Sequence, residues 1–76
     1  MKYIIIDLNG IPTPIIFSVL LQHNEMARDY KVISAGFVFK HSETHQYVAY
    51  GKSVGLNVAS RKEDDAILND PHHHTL

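Results

Sequence analysis

Lys2-Tyr3-Ile4-Ile5-Ile6-Asp7-Leu8-Asn9-Gly10-Ile11-Pro12-Thr13-Pro14-Ile15-Ile16-Phe17 is the stretch that decides the fold. Asn9-Gly10 stands between two isoleucine-rich runs. A two-residue type I′ turn needs positive φ at both central positions, which Asn and Gly tolerate best. The segment therefore predicts a hairpin, with a first strand over Lys2–Leu8 and a second over Ile11–Phe17. The turn sets the register, with Leu8 opposite Ile11, Ile6 opposite Thr13 and Ile4 opposite Ile15. Alternation puts Ile4, Ile6, Leu8, Ile11, Ile15 and Phe17 on one face, the expected core side. Tyr3, Ile5, Asp7, Pro12, Pro14 and Ile16 share the other.

The prolines add a topological constraint. Pro12 and Pro14 fall in pairs that are not hydrogen-bonded, so pairing with the first strand is unharmed. A strand on the far side would lose two N–H donors. The second strand is therefore expected at a sheet edge, with a third strand on the other flank of the first.

The rest of the chain reads outward from this ribbon. Residues 18–30 read as one bent helix or two short ones, with Ser18 capping the first turn and Asn24 a second. KVISAGFVFK, Lys31–Lys40, predicts a third strand, and residues 47–53 a fourth. Between them, residues 41–46 form a polar hairpin loop. Gly36 and Gly51 lie inside these strands, where a glycine marks a bulge or the close approach of another backbone. Residues 54–58 either extend the fourth strand or cross irregularly. Ser60-Arg61-Lys62-Glu63 fits a capping box opening a short helix to about Leu68, and Pro71 stops it. The order is β-β-α-β-β-α. It implies an α+β fold with an antiparallel sheet of about four strands and helices on one face. Residues 1–69 make the domain, and 70–76 a flexible histidine-containing tail.

Size and composition bound the function. A chain of 76 residues is one domain and buries only roughly 60% of the surface its unfolded form exposes. Such domains usually need a disulfide, a metal or a partner, and cysteine is absent. Apolar residues make up 45%, which argues against disorder. Seven basic against eight acidic residues give a formal charge of −1, so no strong charge case exists for nucleic acid or an anionic membrane. The apolar run over residues 15–21 is too short to span a bilayer, and the N-terminus does not read as a secretory signal. These features imply a cytoplasmic protein.

Chemistry-bearing motifs are sparse. Serines 18, 34, 42, 53 and 60 lack a nucleophile-elbow motif, the glycines form no phosphate-cradling loop, and no carboxylates group with a nucleophile. No enzyme and no cofactor are expected. His41, Glu43 and His45 could meet a metal across a loop, and His72, His73 and His74 could do so on the tail. A solvated loop and a frayed tail are the simpler readings, so no metal site is expected. His23 reads as a partly exposed polar residue. Tyr3, Ile5 and Ile16 form a second apolar face that demands cover, most simply by a second copy of the chain. That points to a small non-enzymatic protein-interaction module, a homodimer. The alternative is nucleic-acid binding, with Phe37, Phe39, Tyr47 and Tyr50 stacking bases and Lys40 and Lys52, with Lys31, meeting phosphates.

ISAGFV (residues 33–38), the preceding HNEMAR (23–28) and the following YGKSVGL and SRKED (between 50 and 65) resemble small uncharacterised proteins of bacteriophages and prophages. The resemblance implies an accessory protein of a phage-like element and transfers no catalytic residue.

Overall fold

The computed structural model describes residues 1–70. Four strands, β1 (Lys2–Leu8), β2 (Ile11–Phe17), β3 (Lys31–Lys40) and β4 (Tyr47–Tyr50), form one antiparallel sheet in the order β2-β1-β3-β4. A helical turn, α1 (His23–Ala27), joins β2 to β3. After β4 come a two-stranded ribbon, β5 (Lys52–Ser53) and β6 (Val58–Ala59), and a last short helix, α2 (Asp64–Leu68). This is a small α+β fold, as expected.

The N-terminal hairpin turns on Asn9 at φ 55° and Gly10 at φ 84°, the left-handed region a type I′ turn demands. The Asp7 carboxylate braces it by accepting the Gly10 N–H at 2.7 Å. Leu8 faces Ile11, and Pro12 and Pro14 face Asp7 and Ile5. At the turn the expected core face runs out, because Leu8 is 39% and Ile11 60% exposed. Among the described residues nothing packs over the hairpin tip, so these two belong to the surface.

Both faces of the sheet are covered, and by different parts of the chain. Ile4, Ile6, Phe17 and Ala35 pack beneath α1 and the β5–β6 ribbon, with Ala27, Met26, Leu56 and Val58 closing that side. Tyr3, Ile5 and Val38 pack beneath α2, with Leu68, Ile67, Ile16 and Tyr47 around them. Two expectations are corrected here. The helices lie on opposite faces. Tyr3 and Ile5, read as a self-association face with Ile16, are fully buried by their own chain and Ile16 is half-buried. Leu68 and Ile67 of α2, with Asp64 on the Tyr3 hydroxyl, cover the face that a second copy was expected to meet.

The anchor of α2 is polar. Asp64 is fully buried; its carboxylate accepts the Tyr3 hydroxyl and the Arg61 N–H, and pairs with the Arg61 guanidinium at 3.0 Å. A buried carboxylate persists only when paired in this way. The expected Ser60 cap does not form. The Ser60 hydroxyl donates to the Gly51 carbonyl at 2.8 Å, and α2 begins four residues later.

The two ends of the sheet are shut by different means. On β2 the ring nitrogens of Pro12 and Pro14 carry no hydrogen to offer a further strand. On β4 the outward backbone is consumed by α2. Tyr47 N donates to Asn69 Oδ1 and Ala49 N to Asp65 Oδ1, both at 2.7 Å, and Asn69 Nδ2 donates to Tyr47 O at 2.9 Å.

β3 carries the irregularity of the sheet. Ile5 pairs with Ser34 and Ile6 with Val32, leaving Ile33 as the extra residue of a bulge. The glycines mark other things. A Cβ on Gly36 would lie 2.5 Å from the Tyr50 carbonyl, so this is a close backbone approach. Gly51, at φ +75°, ends the fourth strand three residues earlier than expected, and the chain leaves the sheet.

Candidate nucleic-acid interface

One cross-strand row organises the only aromatic-rich surface among the described residues. Phe17 faces Lys2, Lys2 faces Phe37, and Phe37 faces Tyr50. The row therefore runs through all four strands on one face. His23, from α1, stands over it. Its ring meets Phe17 edge-on at 5.5 Å and Phe37 edge-on at 5.8 Å. Phe37 stacks on Tyr50 at 5.7 Å, and Tyr50 leans on Phe39 at 5.9 Å. Five rings are thus in unbroken contact, passing from the buried Phe17 to the exposed Tyr50 and Phe39.

His23 differs from its expected role. It is buried, and its Nε2 lies 2.7 Å from the Gly36 carbonyl. A carbonyl only accepts, so Nε2 carries the proton, and in the neutral ring Nδ1 is left as an acceptor. A five-residue helix is unstable alone; this hydrogen bond and the burial of Ala27 tie α1 to the sheet. α1 starts at His23 with Gln22 as its cap, not at Ser18 or Asn24. Ser18 instead braces a turn, its hydroxyl accepting Leu20 N–H at 3.1 Å.

Beside the row lies an open groove of about 300 Å³ between α1 and the β5–β6 ribbon. Phe37 and His23 line it, with Lys2 and Lys52 among its polar residues and no carboxylate among those described. Lys2 Nζ donates to the Leu21 carbonyl at 2.9 Å.

The six residues expected to form a nucleic-acid surface are divided by the sheet. Phe37, Phe39 and Tyr50 share one face, and Lys52 lies along the same groove as Phe37. Tyr47 packs with Tyr3 and Leu68 on the opposite face, and Lys40 Nζ sits 5.7 Å from the Tyr47 ring centre. Alternation separates them, since neighbours on a strand point to opposite sides. Lys2 and His23 were missed. The register of the hairpin places Lys2 opposite Phe17, and that signal could have found it.

Other candidate chemistry does not assemble. Among the described residues no three His, Cys, Asp or Glu side chains gather as metal ligands. His41 Nδ1 accepts the Glu43 N–H at 3.2 Å, a loop contact. His72, His73 and His74 lie outside the described residues. No helix among those described is long and apolar enough to cross a membrane. Burial, reinforced by the Asp64 carboxylate, pushes the Tyr3 hydroxyl well above the ordinary tyrosine range, which makes it a poor acid. Comparison with protein-family models, curated proteins and solved structures finds no match to this chain.

Proposed function

We propose that this protein is a small non-enzymatic binding module that takes single-stranded nucleic acid on the Phe37–Tyr50–Phe39 surface. The observation that carries the reading is the exposure of two connected rings, Tyr50 at 50% and Phe39 at 46%, on a sheet face beside Lys2 and Lys52. Exposed apolar rings on a small domain are costly to hydration, and bases are flat apolar partners for them. The modest charge of the chain makes the binding weak and governed by stacking. Two phosphate contacts imply that log K falls with log salt with a slope of only about 1.4, at roughly 0.7 per contact for a single strand. In a phage-type element, as the sequence resemblance implies, such a module serves as an accessory protein.

The test is fluorescence anisotropy with labelled oligothymidylate and oligouridylate at low salt. Tyr50→Ala and Phe39→Ala are each expected to weaken binding by about tenfold, the loss of one stacked base. Absence of binding to every single-stranded probe, or wild-type affinity in both variants, overturns the reading.

A protein partner is the second reading, favoured by exposed aliphatic side chains. Leu20 is 89%, Val54 82% and Val19 55% exposed. Leu20→Ser abolishing association with a defined partner, with oligonucleotide binding absent, would decide for it. Because both sheet edges are closed, such a partner meets side chains and not a free strand.

A further inference from the structure

We infer that the groove between α1 and the β5–β6 ribbon is a subsite for one unpaired nucleobase, with the adjoining phosphate held between Lys52 and Lys2. The inference rests on the nucleic-acid reading above and deepens it, because it makes the protein grip one nucleotide of the strand and only support its neighbours.

Three observations converge on this occupant. The first is shape. The groove, at about 300 Å³, sits at the small end of ligand sites, which run from roughly 300 to 1,000 Å³. It has room for one nucleoside. Phe37 gives it an apolar wall that continues into Tyr50, so a base inside it and a base outside on Tyr50 are consecutive on one track.

The second is charge. Lys2 and Lys52 line the groove and no described carboxylate does. Lys2 spends one N–H on the Leu21 carbonyl and keeps two for an anion. An anionic group attached to a flat ring meets both requirements; a neutral aromatic leaves the lysines unused, and inorganic phosphate leaves the ring wall unused.

The third is hydrogen bonding. His23 is 7% exposed, lines the groove and commits Nε2 to Gly36. Its Nδ1 has no hydrogen-bond partner among the described residues and is not closed off from solvent, so an acceptor held in a fixed orientation by the Nε2 bond is available to a ligand. Asn24 supplies an exposed amide on the same wall. Acceptor and amide together suit the Watson–Crick edge of a base, which single-strand readers use for discrimination.

Gly55 makes the test clean. It lines the groove, its φ is outside the left-handed region, and a Cβ built there meets nothing within 4 Å. Gly55→Phe therefore sets a bulky side chain at the groove wall with room for its Cβ, and a thermal melt verifies that the fold is kept. Anisotropy with a short labelled oligothymidylate is expected to show at least a tenfold loss for Gly55→Phe, and titration of the wild-type protein with thymidine monophosphate is expected to move the His23 Nδ1 resonance. Unchanged affinity in Gly55→Phe, with Tyr50→Ala still weakened, overturns the groove while the open-face reading stands. Equal shifts at His23 with inorganic phosphate alone also overturn it, since an anion site would then suffice. No oligonucleotide binding by the wild type overturns both.

Discussion

Single residues carry both the strain and the slack of this molecule. Ser34 is fully buried at the bulge, and its hydroxyl has no hydrogen-bond partner among the described residues. Removing an unpaired buried hydroxyl recovers its desolvation penalty, so Ser34→Ala is expected to raise stability by about 1 kcal/mol in chemical denaturation. Tyr3 behaves in the opposite sense. Its hydroxyl ionises at a higher pH in the folded chain than in the unfolded one. Above the ordinary tyrosine value, near about 10, the unfolded state releases a proton that the folded state retains. Stability is thus fully present below that pH and falls as pH rises further. Tyr3→Phe is expected to flatten this alkaline decline, while lowering stability near neutral pH by about 1–2 kcal/mol through the donor lost to Asp64. Denaturant midpoints across the alkaline range measure both effects.

At the level of elements, the edges matter most. The backbone of β4 is occupied by Asp65 and Asn69. An Asp65→Ala, Asn69→Ala double variant exposes that edge and leaves Tyr47 and Ala49 N–H groups without side-chain acceptors. Losing these bonds is expected to lower stability by about 2 kcal/mol, and light scattering should show concentration-dependent association that the wild type lacks. The same scale shows what was legible beforehand. Asn9-Gly10 announces a hairpin through local backbone preference alone, and four alternating apolar runs announce a small antiparallel α+β fold. Residues 18–30 misled because Ser18 and Asn24 are plausible caps in isolation; with the tertiary contacts of His23 the helix starts at His23, past Ser18 and with Asn24 inside it. The β5–β6 ribbon, two residues on each side, is too short for periodicity to register. The aromatic surface was half legible. Phe37 and Phe39 alternate visibly, but which face Tyr47 joins depends on pairing with β3, and the role of His23 depends on a carbonyl 13 residues away.

For the molecule as a whole, the covering of both sheet faces removes the reason for a second copy. Sedimentation at micromolar concentration is expected to find a monomer. A chain ending at residue 62, which lacks α2, bares Tyr3, Ile5 and Val38 and is expected to associate or fail to fold. Persistent monomer in that shortened chain would mean that α2 contributes little. The contact between Tyr3 and Asp64 joins residues 61 apart in sequence. β1 thus waits for α2 to be synthesised before one of its sides is shielded from water. Any nascent chain that has not yet made α2 displays an oily sheet, the kind of surface on which aggregation begins.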